Sequence, residues 1–286
     1  MSEAVPQAQA APAGAAAVTR PRPTFVRDSW VIARRGLVHM RRQPEALADA
    51  TFQPIMFVLL FAYVFGGAIG VPGGGSYKEF LMGGIFAQTL VFGTFGVAMG
   101  LATDRQSGAI DRFHSLPIHP ACVLAGHALT SLLRALLPIV LMSATGLAIG
   151  WRSHAGPGDV AVGYGLMIAF SFAMIWIGVL LGSVMSSPEG VQGVAFVVIF
   201  PITFISSTFV PTSTLPGVLR VFAEWNPTTS LANALRDHFG NPGGAVADGA
   251  PWSLAHPTAY TLGWTVGIVG LCAPVAVRAY QRAVRH

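Results

Sequence analysis

Apolar and polar positions along this chain are separated in blocks of about twenty residues rather than in short alternations. Residues 50–70, ATFQPIMFVLLFAYVFGGAIG, carry no charge, and neither do residues 80–101, FLMGGIFAQTLVFGTFGVAMGL. Nothing is charged between Asp159 and Glu189, nor between Glu189 and Arg220. Residues 257–277 form another such run, and a run over roughly 120–150 is interrupted by Arg134. A helix rises ~1.5 Å per residue, so about 20 residues cross a ~30 Å hydrocarbon layer. The pattern predicts six transmembrane helices, at about 49–71, 80–101, 121–150, 160–185, 190–211 and 256–277. The third is long enough to begin below the membrane surface.

Outside these runs the periodicity changes. Over residues 24–43, Val26, Trp30, Ala33, Leu37 and Met40 recur at spacings of four and three, with most of the arginines off that stripe. This predicts an amphipathic helix on the membrane interface, capped by Thr24 and ended near Pro44. The other reading is a helix packed on a partner protein. Residues 1–23 lack a signal peptide's apolar centre and read as a disordered tail. Residues 49–277 make the six-span body, and 278–286 a basic terminus. The stretch from 212 to about 255 holds Leu215, Val218, Leu219, Phe222 and Trp225, too apolar for a free loop. Pro211, Pro216 and Pro227 break it up, which predicts short external re-entrant helices between spans five and six. The expected fold is therefore all-α and integral to the membrane.

Composition agrees: 53% of residues are hydrophobic and only 10% are charged. Mean hydropathy is +0.59. Soluble domains carry about 25% charge. Charge then sets orientation. Arg20, Arg22, Arg27, Arg34, Arg35, Arg41, Arg42, Arg105, Arg112, Arg278, Arg282 and Arg285 fall on one face, against Lys78, Arg152, Arg220 and Arg236 on the other. Cations favour the cytoplasmic side, so both termini are expected there in a cell membrane. This anchoring accounts for the net charge of +5 without nucleic-acid binding. Cys122 and Cys272 sit in apolar surroundings and read as small buried hydrophobes. Gly-x-x-x-Gly pairs at Gly66/Gly70, Gly96/Gly100, Gly178/Gly182 and Gly263/Gly267 permit close helix approach.

No catalytic constellation or metal-ligand spacing stands out. A phosphate-binding P-loop requires lysine before Ser or Thr, and the single lysine, Lys78, lies between Tyr77 and Glu79. The chain has no ATPase site of that kind and is not expected to be an enzyme. All twelve acids fall in tails, loops or span ends, so an ion-coupled mechanism has no buried carboxylate to carry a proton. His127 and Arg134 lie inside the third run, seven residues apart on one helix face. One reading makes them a polar spot on a substrate or proton path. The preferred one has Arg134 snorkelling to the interface, because residues 135–151 nearly span alone. The stretch ATDRQSGAIDRFHSLPI, 102–118, concentrates charge in an apolar chain. As a helix it stacks Asp104 over Asp111 and Arg105 over Arg112, beside an apolar ridge of Ile110, Phe113 and Leu116. Gly108 allows a bend and Pro117 ends it. The plainer reading is a solvated loop. A pathway without an engine needs a partner that supplies energy.

The sequence resembles the membrane subunits of type-2 ABC transporters, most like the daunorubicin-resistance type of drug-export permease. Four features carry the resemblance: the basic amphipathic helix, YKEFLMGGIFAQ at 77–88, TDRQSGAIDRFHSLPIHP at 103–120, and FPITFISSTFVPTSTLPGVLRVFAEWNPTTSLANALR at 200–236. It implies an exporter of two membrane subunits and two separate ATP-binding subunits, with ATP and Mg on those partners and no cofactor on this chain. It implies that Asp104, Arg105, Gly108, Asp111, Arg112 and Pro117 form the cytoplasmic element that couples to the ATPase. Glutamates often stand in that element where this chain has Asp104 and Gln106. It also implies a pathway lined by spans two and five, on which Gln88, Phe92, Thr203 and Phe204 are the candidate contacts. Phenyl faces and hydroxyls suit a hydrophobic, partly polar molecule, and they also serve ordinary helix packing. Export of a drug-like compound or lipid is the expectation. Export of a lipid-linked glycan or cell-wall lipid, and an ion-coupled transporter or channel using His127, are the alternatives.

Overall fold

A computed structural model describes residue 34 and residues 44–71, 74–107, 120–185, 187–243 and 249–283. The tail, the interfacial helix apart from Arg34, and Gly108, Asp111, Arg112 and Pro117 of the expected coupling element lie outside the described residues. Among the described residues the chain is helical, without strands. Helix α1 is Pro44–Leu60 and runs into a π-helical turn, Phe61–Phe65. Then come α2 (Tyr77–Gln106), α3 (Pro120–Ala148), α4 (Pro157–Val184) and α5 (Pro188–Val194). A second π-helical turn, Ala195–Ile199, joins α5 to α6 (Phe200–Phe204). Three short or medium helices follow, α7 (Gly217–Glu224), α8 (Pro227–Phe239) and α9 (Trp252–Ala255), before α10 (Pro257–Ala283) closes the chain. Proline is the first residue of α1, α3, α4, α5, α8 and α10. That position lacks an intrahelical partner for its N–H, and proline's fixed φ already suits the helix.

Among the described residues, four helices are long and apolar enough to cross a membrane: α2, α4, Ala128–Ala148 of α3 and Pro257–Ala279 of α10. They match four of the six expected spans. The runs expected as spans one and five hold shorter apolar helices, Phe52–Phe65 and Pro188–Phe204. The fifth is short for a local reason. Ile205 leaves helical geometry (φ −89°, ψ 64°). There the Ser206 hydroxyl donates to the Thr203 carbonyl and accepts from the Thr208 N–H. Residues without charge need not be helical, and Ile205–Pro211 is a turn inside a charge-free run.

The core is built around α2 and α4. Just over half of each one's most apolar stretch is buried, against about a fifth for α3 and α10, so the latter two present wide apolar faces outward. Contact between α2 and α4 is close because Gly178 and Gly182 lie against the α2 backbone. A Cβ at Gly178 would sit 2.7 Å from the Thr94 carbonyl oxygen, and one at Gly182 would sit 2.6 Å from that of Ala98. The Gly178/Gly182 pair therefore does what its spacing suggested. Gly96, Gly100, Gly263 and Gly267 face open space. Helix α10 packs along α4, α8 sits on α2, α4 and α10, and α1 lies beside α3.

Candidate functional site

Between α1, α2 and α3 runs a groove of about 540 Å³. That is within the ~300–1,000 Å³ of pockets that hold drug-sized molecules. Its walls are mostly apolar, with Phe57 and Pro54 from α1, Ile85, Phe92, Phe95 and Met99 from α2, and Pro138 from α3. The floor is open because Gly93, Gly96 and Gly100 bring no side chain and have nothing within 4 Å of where one would begin. Polar groups are few: Gln53, Gln88, Thr89, Thr103, Ser131 and Arg134. Gln88 is 3% exposed. Behind the groove, a void of about 50 Å³ between α2, α3 and α4 is lined by Thr94, Ser131 and Ser171. The Thr94 and Ser171 hydroxyls are buried without a partner there. Space and unmet donors of this kind suit one or two water molecules.

The four residues expected on a pathway divide. Gln88 and Phe92 line the groove together. Thr203 is fully buried and its hydroxyl donates to the carbonyls of Ile199 and Phe200, so it is engaged in the helix. Phe204 is exposed on an aromatic column with Phe196, Phe200 and Phe209. Phe200 in turn meets Phe92 edge-on at 5.8 Å, which links that column to the groove wall. Gln53, Thr89, Gly93, Thr103 and Ser131 were not singled out from sequence, and Gly96 and Gly100 were read only as a pair permitting close helix approach. Only their arrangement across three helices makes them a set. Arg134, read from sequence as reaching for the interface, lines the groove.

Of the expected coupling residues, Asp104 and Arg105 lie in the last turn of α2 and are half-buried. The Arg105 guanidinium donates to the carbonyls of Ser183 and Met185, at 2.7 and 3.0 Å. Those carbonyls sit at the C-terminal end of α4, where helix geometry leaves acceptors unmet and a cation is favoured. The end of α2 that leads into residues 108–119 is thereby tied to the end of α4.

A second joint was not anticipated. Arg236, in α8, is completely buried. Its Nε donates to the Phe80 carbonyl, Nη1 to Ser207 Oγ and Asn233 Oδ1, and Nη2 to the Ser207 carbonyl, at 2.6–2.8 Å. Its guanidinium carbon stands 3.6 Å from the Phe80 ring centre. Burial pulls the guanidinium down to about 9, with Asp237 and Tyr77 opposing, so it stays charged at neutral pH. Room for it comes from Gly83, where a Cβ would meet Arg236 Cγ at 2.8 Å and the Ala232 carbonyl at 2.9 Å. One residue on, a Cβ at Gly84 would run into the Thr208 carbonyl. The signal in the sequence was a paired glycine in FLMGG and an arginine ending NPTTSLANALR, but nothing there pairs the two.

Apolar helices of membrane length, two of which wall a groove together with the shorter α1, define an integral membrane protein. Comparison with known proteins agrees. The profile of the ABC-2 type transporter family matches residues 27–239, and the chain belongs to that family. It is similar to the daunorubicin resistance ABC transporter permease protein DrrB1 of Streptomyces coeruleorubidus. The two are 31% identical over 252 residues, which cover 88% of this chain and 85% of that protein. It is also 26% identical over 268 residues to a Mycobacterium tuberculosis protein named "Probable doxorubicin resistance ABC transporter permease protein DrrC", across 92% of this chain and 91% of that one. The chain is thus a multi-pass membrane protein of a transport family.

Proposed function

We propose that this chain is the membrane-spanning subunit of an ATP-driven exporter that moves a hydrophobic, drug-like compound or lipid out of the cell. It acts with a second copy of itself and two copies of a separate ATP-binding subunit, which hold ATP and Mg. Both termini lie in the cytoplasm, six segments enter the membrane, and α7 and α8 form the external re-entrant region. The drug-resistance names of its relatives support the substrate class. One observation carries the reading. Helix α2 is a single run of 30 residues that walls the groove from Ile85 to Thr103 and continues into the expected coupling stretch.

A push on residues 103–118 by the closing ATPase therefore reaches the groove wall along one rigid element. Through Arg105 it also moves the end of α4. Asp104, Gly108, Asp111, Arg112 and Pro117 receive the push. The exposed Phe196, Val197, Phe200 and Phe204 suit the contact with the second copy. Phe204 would then stand at that interface, and Gln88 and Phe92 would meet substrate. Proteoliposomes holding the permease with its co-expressed ATPase should export a lipophilic fluorescent compound only with ATP, and vanadate should stop it. Export that persists without an ATPase and stops with a proton uncoupler would sink the proposal in favour of an ion-coupled carrier.

A further inference from the structure

We infer that the void behind the α1–α2–α3 groove is a subsite of it, which takes a neutral oxygen-bearing substituent, a hydroxyl or a ketone, from an otherwise apolar ligand. This rests on the exporter reading above and names a specificity determinant of that same groove. Two side chains carry it. Thr94 and Ser171 are 2% and 3% exposed, and both line the void with hydroxyls that have no hydrogen-bond partner. A serine or threonine in a helix can close its hydroxyl on the carbonyl four residues back. Ser143, Thr145, Ser183 and Thr265 all do so here. Thr94 and Ser171 leave that local bond unmade. Thr94 lies near the middle of α2, where a membrane offers no bulk water in its place.

The void adjoins the groove along one seam. Thr89, Gly93 and Val97 of α2 and Ser131, Ala135 and Pro138 of α3 line both spaces, so only the line between these two rows separates them. In the α2 row Gly93 brings no side chain, and nothing stands within 4 Å of where one would begin. In the α3 row Ala135 brings a single carbon. A ligand lying along the groove therefore reaches the two hydroxyls through the seam with a short substituent. Size limits that substituent. The void holds about 50 Å³, a third of the ~150 Å³ cavity that accepts benzene, so a hydroxyl or ketone enters and a ring does not. Charge limits it too. Among the described residues no charged side chain lines the void, and an unpaired charge is too costly to bury there. Each hydroxyl both donates and accepts, so the pair serves a ligand hydroxyl in either role and a ketone as donors. Water suits the same place when no ligand is there, and the substituent takes over its hydrogen bonds.

The test uses the full-length chain in nanodiscs of zwitterionic lipid. The probes are radiolabelled methyl stearate and three derivatives with a single hydroxyl near the ester, at mid-chain or near the tail, with affinities expressed per probe dissolved in the bilayer. At least one hydroxylated derivative should bind saturably and about tenfold more tightly than methyl stearate, the factor that one or two ordinary hydrogen bonds provide. The matching ketone should keep most of that gain. Thr94→Val with Ser171→Ala should abolish the preference and leave methyl stearate binding unchanged. Because it removes two unpartnered buried hydroxyls, the double variant should melt no lower than wild type. Gly96→Leu fills open space in the groove and should abolish binding of every probe. Equal binding of all probes to wild type, no saturable binding, a preference that survives the double variant, or binding unaltered by Gly96→Leu each overturns the inference. The wild-type comparison needs no variant, so a misfolded double variant leaves the test intact. Export in the reconstituted complex separates the two readings. Hydroxyl-selective binding without ATP-dependent export counts against the exporter, and ATP-dependent export without hydroxyl preference counts against the subsite alone.

Discussion

Replacing Arg236 by glutamine should loosen the joint between α2 and α8 more than any other single polar change in the described chain. Arg236 uses four of the five N–H donors of a guanidinium, all on neutral acceptors. Hydrogen bonds to a charged group contribute about 1.5–3 kcal/mol each, a gross gain on the order of 10 kcal/mol. Desolvating the cation cancels several kcal/mol of this, so the expected net loss is about 3–5 kcal/mol, the usual cost of breaking a buried charged network. For chains of this size about 2–4 °C of melting temperature goes with each kcal/mol, so a fall on the order of 10 °C is expected. Arg236→Lys keeps the charge but presents one nitrogen to acceptors spread over three residues, so it should recover less than half. Size-exclusion thermostability of the detergent-solubilised protein measures both. An Arg236→Gln chain melting within about 2 °C of wild type, less than 1 kcal/mol by that conversion, would refute the bonding account.

The other expectations are smaller or concern transport. Gly84→Val drives a side chain into the Thr208 carbonyl and should cost about 1–3 kcal/mol or more and broaden the size-exclusion peak, whereas Gly93→Ala should be silent. Arg105→Ala removes two bonds from a half-buried cation, so stability should fall by only about 1 kcal/mol, while export per ATP hydrolysed falls severalfold. Asp111→Arg and Gly108→Trp should leave the chain inserted and the partner's ATPase running, with export lost. Normal export by both variants would demote that stretch to a plain loop.

What could be read from the sequence was what depends on one helix at a time. Charge-free runs located α2, α3, α4 and α10 within a few residues, because length and apolarity suffice for a membrane crossing. The same criterion overran at Ile205–Pro211, where serine and threonine hydroxyls close a turn without any charge to mark it. The groove was half visible. Gln88 and Phe92 were named, while Gln53, Ser131 and the floor glycines belong to the site only through the packing of α1 and α3 against α2. Arg134 shows the limit most clearly. Its depth in the third run was evident, but whether it reached for the interface or lined a groove depended on the helix facing it. YKEFLMGG and NPTTSLANALR were recognised as separate motifs. They are two halves of one joint, and only the fold brings Gly83 under Arg236.

That joint also bears on how the protein is made. Phe80 and Arg236 are 156 residues apart in the chain, with α3 and α4 between them. During synthesis α2 enters the bilayer long before α8 exists, and the notch at Gly83 stands empty while the intervening helices insert. Assembly of the core is therefore a late step that follows insertion. A chain cut short between α4 and Arg236 would still cross the membrane but keep an unfilled seam along α2, the sort of surface by which a membrane quality-control protease would tell it from a finished one.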